Sequence, residues 1–199
     1  MEYVGTRMRY QAKDFSHLLG TSGFTDTQLK NHFTLYQGYV KNTQTVWEKL
    51  DQLVENHQEG SPEFAEMKRR FGWEWNGMRL HELYFENLGG SDNVGEAPRA
   101  LEIIKGAFDS FDAWKREFKA VGMMRGIGWA ILYYDHERGN AFNCWINEHD
   151  VAHLTGCIPL LIMDVFEHAF VFDYGLNRAD YINAFMETID WREVEKRLH

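Results

Sequence analysis

Asp164 and His168 stand four residues apart in "LLIMDVFEHAF", a run that is otherwise apolar apart from Glu167. A buried carboxylate is unfavourable unless it is paired or bound to a cation. The pair therefore reads either as an acid capping a helix that starts near Glu167 or as half of an ion site. His81 lies in "WNGMRLHELYFENL", where Gly77, Met78, His81 and Phe85 share a side at helical spacing, and His32 lies in "LKNHFTLYQGYV". Taken alone, each is more simply a core histidine with a satisfied hydrogen bond. Taken together, three imidazoles and one carboxylate suit a borderline transition metal such as Fe, Mn, Zn or Cu, the anionic oxygen lowering the net charge of the ion. His149 and His153 are further candidates, whereas His17, His57, His136 and His199 sit in polar or terminal contexts and read as surface residues. Spacing by itself does not choose among them.

The elements that must position these groups are visible in the capping and breaking residues. Residues 1–23 read as an irregular arm ending in the turn-like "GTSGF". Thr25 and Gln28 form a capping-box pattern, opening a helix from about Thr25 to His57 with Leu29, His32, Tyr36, Tyr39, Val40, Trp47 and Leu50 near one face. "EGSP" breaks it; Ser61 as cap and Pro62 at the first helical position start a second helix running to about Leu88. "LGGSDNVGEAP" is the linker. Beyond it, short helices fit Pro98–Gly106 and Asp109–Val121. "IGWAILYY" and "AFNCWIN" are of strand length and are joined by "DHERGN" as a hairpin; "CIPLLIM" is the third strand. A helical tail follows. The expected fold is α+β: an N-terminal helical hairpin domain, residues 1–90, then a C-terminal domain, residues 91–199, with a small three-stranded antiparallel sheet flanked by helices.

Composition narrows the partners. The chain of 199 residues is 44% hydrophobic, 15% aromatic and 26% charged, which is a folding composition. Its formal charge of -9 and the lack of a basic cluster argue against nucleic acid. No run is long and apolar enough to span a bilayer, and the N-terminus lacks the apolar block of a signal peptide. Two cysteines, Cys144 and Cys157, are too few for a disulfide framework, so a reduced, cytoplasmic protein is expected.

The motifs resemble those of the iron/manganese superoxide dismutases. "DVFEHAF" resembles that family's D-x-W-E-H-A-[FY] pattern, "GIGWAIL" its G-S-G-W-x-x-L strand, and "NGMRLHELYFENL" the segment carrying its second histidine ligand. "YVKN" resembles the end of its first-helix motif, and "NRADYINAF" and "IDW" resemble its C-terminal helices. The match runs in order from about Phe24 onward.

The resemblance implies one Fe or Mn ion per subunit held by His32, His81, Asp164 and His168, and disproportionation of superoxide. Glu167 would reach across a homodimer interface, with a tetramer also open. Tyr39 would be the gateway tyrosine, although His32 and Tyr39 are seven residues apart where the family has eight; without a gap Val40 takes that place. His149 would hydrogen-bond the metal-bound solvent, with Glu148 and His153 as alternatives, while Gly77 excludes a glutamine donor from the N-terminal half. Tyr36 joins Tyr39 on the proton path, and Phe85, Trp129 and Phe166 wall the cavity. The chain departs from the family at the relay histidine of the first helix, replaced by Leu35 or Tyr36, and at the tyrosine after "EHA", replaced by Val171. Arg79 and Arg178 could steer an anion, but solvated helix faces are the simpler role for both. Two rival readings are a non-catalytic metal-binding homologue and a non-haem iron oxygenase using two histidines and one carboxylate.

Overall fold

The computed structural model describes residues 10–199; the first nine residues of the expected arm lie outside the described residues. From Tyr10 the chain lies along the helical hairpin. Tyr10 N–H donates to Gln44 Oε1 (3.2 Å), and its ring meets Trp47 and Trp75 at 5.5 and 5.0 Å. One 3-10 turn, Ser16–Leu18, directs Phe15 and Leu18 into the core.

Helix α1 spans Asp26–Glu55 and α2 spans Pro62–Glu86. The cap of α1 is half of the expected box. Thr25 Oγ1 accepts from Gln28 N–H (3.1 Å), but the Gln28 amide does not return to Thr25. It donates instead to the His168 carbonyl (2.6 Å), and Asp173 accepts from both the Thr25 N–H and hydroxyl. A tertiary partner has replaced the local one, which ties the helix start to the segment around His168. Ser61 and Pro62 start α2 as their chemistry requires, Ser61 Oγ accepting from Phe64 N–H. Both helices end two residues before the expected ends.

After a short 3-10 turn, Val94–Glu96, come α3 (Pro98–Phe108) and α4 (Phe111–Gly122). Helix α4 starts later than expected because Ser110 is its cap and Asp109 has a left-handed backbone, φ +64°. Strands β1 (Gly128–Asp135), β2 (Asn140–Asn147) and β3 (Ile158–Asp164) form one antiparallel sheet in the order β2-β1-β3. β1 is central and fully buried from Gly128 to Tyr133. β2 ends opposite Gly128 and β3 begins opposite Tyr134, so residues 148–157 travel back along the length of β1. Where a helix is expected near Glu167 there is a 3-10 turn, Glu167–Ala169, followed by the single turn α5 (Val171–Tyr174). The tail divides into α6 (Arg178–Glu187) and α7 (Trp191–Lys196). No helix of the described residues is long and apolar enough to cross a membrane.

One side chain locks the hairpin to the sheet. Arg197 donates to the carbonyls of Leu83 (3.0 Å) and Leu160 (2.7 Å) and to Asn87 Oδ1 (2.5 Å), and it pairs with Glu86 at 3.3 Å. Asn87 in turn donates to the Ile162 carbonyl at 2.8 Å. The end of α2, the middle of β3 and the C-terminal turn are thus joined through one guanidinium that is 11% exposed. Truncating it leaves buried acceptors unpaired. Arg197→Ala is expected to cost about 3 kcal/mol, read as a lower urea midpoint at unchanged m-value.

Candidate metal centre

Four elements meet beside the end of β3. His32 points inward from α1 and His81 from α2, Asp164 is the last residue of β3, and His168 sits in the following 3-10 turn. One ligand atom from each lies within 4.8 Å of all the others. Asp164 Oδ2 is 3.1 Å from His32 Nε2, 3.0 Å from His168 Nε2 and 3.6 Å from His81 Nε2. Asp164 and His81 are fully buried. Asp164 Oδ1 accepts from Phe166 N–H (2.9 Å), and Tyr181 donates to the Asp164 carbonyl (2.6 Å). The carboxylate is therefore fixed from both sides.

His81 tests whether these residues suit an ion. Its Nδ1 lies 2.5 Å from the Gly77 carbonyl. A carbonyl only accepts, so the proton is on Nδ1 and Nε2 carries a lone pair. That Nε2 is buried and has no hydrogen-bond partner. A buried acceptor aimed at a carboxylate and two other imidazoles is unfavourable unless a cation lies among them. The electrostatics agree. Burial pushes His81 and His32 below the usual histidine range, which keeps both neutral. Burial also pushes Asp164 upward, but the adjacent His168 and His32 rings outweigh it and hold the carboxyl far below its usual range. Neutral imidazole and ionised carboxylate are the states that bind a metal.

A second set of groups lies against this cluster. His149 is fully buried in the segment after β2. Its Nδ1 is 3.1 Å from Trp129 Nε1, and its Nε2 is 2.8 Å from the Tyr39 hydroxyl. Indole N–H is only a donor, so His149 Nδ1 accepts and the proton is on Nε2, which donates to Tyr39. Burial pushes His149 down to about 4, consistent with a neutral ring. The Tyr39 ring lies over Gly77: a Cβ there would stand 2.5 Å from Tyr39 Cδ1. The same ring stacks on His81 at 5.1 Å. Val40, the alternative, is buried in the core.

The remaining candidates divide by location. Phe85 packs on His32 at 4.9 Å, Trp129 on His81 at 5.0 Å, and Phe166 on both His149 (4.9 Å) and His168 (5.1 Å). Tyr36 is buried, but its hydroxyl donates to Glu82 (2.9 Å) and accepts from Lys13 N–H (3.0 Å), turned toward that pair and not toward Tyr39. Glu167 is exposed. The two alternatives to His149 instead frame it. Glu148 accepts from the Trp73 indole, and His153 Nε2 donates to the His149 carbonyl (2.8 Å) while its Nδ1 accepts from the Tyr133 hydroxyl (2.6 Å). Arg178 is not a solvated helix-face residue: it donates to the carbonyls of Met124, Gly126 and Val165. Arg79 pairs with Glu82. Sequence reasoning missed Trp73, which lies 4.6 Å from His149. The available signal was the stripe Arg70, Trp73, Gly77 and His81, spaced by three and four residues on α2.

Comparison with known proteins accords with this geometry. Residues 96–197 match the model of the iron/manganese superoxide dismutase C-terminal domain. A protein named iron superoxide dismutase from Saccharolobus solfataricus is 34% identical over 167 residues, covering 82% of this chain and 79% of the relative. A manganese superoxide dismutase of Haloferax volcanii is 36% identical over 84% of this chain and 82% of its own length. An iron superoxide dismutase of Aquifex pyrophilus is 34% identical over 95% of this chain and 91% of its own. Relatives of this identity span both the helical hairpin and the sheet, and on that extent of agreement the chain belongs to the iron/manganese superoxide dismutase family.

Proposed function

We propose that this chain is a superoxide dismutase using one Fe or Mn ion per subunit, held by His32, His81, Asp164 and His168. The observation that carries the reading is the unpartnered, buried Nε2 of His81 facing the ionised Asp164. Relatives named for iron and for manganese match to a similar degree, so the donor set is read as open to either metal. When bound, such an ion supplies one-electron chemistry, by which two superoxide ions and two protons give dioxygen and hydrogen peroxide.

The chain's own groups manage protons and water. His149, fixed by Trp129 with its proton on Nε2, donates to the Tyr39 oxygen, which leaves the Tyr39 hydroxyl proton free for another acceptor. Phe85, Trp129 and Phe166 pack around the ligand rings and keep the space dry. Tyr36 would serve proton supply through Glu82. The N-terminal unit, residues 1–90, contributes His32, Tyr39 and His81, and the C-terminal unit, residues 91–199, contributes the rest. A homodimer is read from exposed Glu167, with Phe172 and Leu176 in the segment that follows it 64% and 95% exposed. A cytoplasmic location fits the two free thiols, Cys144 and Cys157.

His81→Ala is expected to abolish metal retention, read by elemental analysis, and to reduce superoxide decay to that of free metal. Full turnover in that variant would remove His81 from the site. Metal retained by the parent protein without turnover, after reconstitution with Fe and with Mn, would favour a non-catalytic homologue.

His149→Gln provides a pH test. A glutamine can accept from Trp129 and donate to Tyr39, but it does not titrate. The folded pKa of His149, about 4, lies below the unfolded value of about 6.5. The neutral ring's contribution is therefore complete above pH 6.5 and is lost as pH falls from there through 4. Denaturant titrations of the metal-free proteins should show parent stability dropping by about 3 kcal/mol more than that of His149→Gln across this window. Parallel curves for the two would exclude a buried neutral His149.

A further inference from the structure

Helix α2 carries a line of side chains from the surface to the ligands: Arg70, Trp73, Gly77 and His81. Tyr39 fills the space over Gly77 and stacks on His81. Trp73 packs against both members of the Tyr39–His149 pair, 5.5 Å from the Tyr39 ring and 4.6 Å from the His149 ring. Trp73 is half-buried, and the residues around it, Arg70 and Glu148, are exposed. Of the pair, Tyr39 is half-buried and His149 has no solvent exposure. The indole is held on its face and at its edge: the Arg70 guanidinium lies over the ring, 4.0 Å from its centroid, and its Nε1–H donates to Glu148 Oε2 (3.1 Å).

The charges at this mouth are opposed. Glu74 is 2% exposed and takes Arg70 Nε and Nη2 on a single oxygen, at 2.8 and 2.7 Å. Glu148 accepts from the indole N–H. Without Arg70 the mouth would carry two carboxylates on a chain whose formal charge is -9, a field that repels any anion. Arg70 and Glu148 act with opposite sign on both Tyr39 and His149. Arg70 is held by its stacking and its clamp to Glu74, while 45% of its side chain stays exposed. A cation fixed on an aromatic face loses little further freedom when an anion approaches.

We propose that Arg70, laid on Trp73, is the electrostatic guide that admits small monovalent anions to the Tyr39–His149 side of the centre, and that Trp73 is the wall they pass. This rests on the reading that the centre acts on superoxide.

The test compares the metal-loaded parent with Arg70→Gln, Arg70→Lys and Glu148→Gln by two readouts: superoxide decay as a function of ionic strength, and azide affinity from the visible spectrum. At about 0.01 M salt, where the screening length is ~30 Å, Arg70→Gln should lose about tenfold in kcat/KM and bind azide correspondingly more weakly. Arg70→Lys should recover the greater part of that loss. Glu148→Gln should move both readouts the opposite way. At about 1 M salt, where screening reaches ~3 Å, the curves should converge. Equal salt slopes and azide affinities in parent and Arg70→Gln, or a fall in Glu148→Gln, would overturn the proposal. If Arg70→Gln does not fold, the exposed Glu148→Gln carries the test by the sign of its change. A parent without turnover would refute the superoxide reading alone, since azide affinity still reports on Arg70.

Discussion

A carboxylate with no solvent exposure governs the arrangement of this molecule. Asp164 sits at the end of β3 with three imidazole nitrogens within 3.6 Å of one oxygen. Such a charge is tolerated only when its surroundings are complete. The other Asp164 oxygen takes a backbone N–H, and its carbonyl takes a tyrosine hydroxyl. The Gln28 amide binds the His168 carbonyl, so the start of α1 is tied to the turn that carries the last donor. The lock made by Arg197 holds α2 against β3, which keeps His81 opposite Asp164. The architecture thus brings three imidazole nitrogens to a fixed negative oxygen.

Much of this arrangement is legible in the residues. Ser61 and Pro62 identify the start of α2, and the aromatic runs around Trp129 and Trp145 identify the hairpin, because capping and alternation are local effects. The Thr25–Gln28 box is half right for the opposite reason: a distant carbonyl and Asp173 outcompeted the local pairing. Spacing leaves Tyr39 and Val40 as alternatives. Helical geometry separates them, with the Tyr39 hydroxyl on His149 and Val40 in the core. Proton positions on His81 and His149 were not legible at all, since each is set by a partner brought in by tertiary structure. Arg178 was misjudged because its acceptors are carbonyls of loops that sequence patterns do not place.

The segment after β2 carries more than His149. It runs back along β1, and the His149 ring is held from three directions: Trp129 from the sheet, His153 of the same segment through the backbone carbonyl, and Phe166 by stacking. Glu148 and Ala152 adopt left-handed backbones, φ +50° and +75°. Such conformations persist only where surrounding contacts over-determine them. A histidine with one defined tautomer is the result, in contact with a tyrosine from the other half of the chain.

Gly77 and Tyr39 share one volume, since a methyl group at position 77 would overlap the phenol ring. Neither position can therefore drift independently over evolutionary time. A side chain at 77 would displace the Tyr39 ring, and with it the hydroxyl that His149 meets from across the molecule. The absence of a single carbon atom in α2 thereby couples the histories of three distant positions.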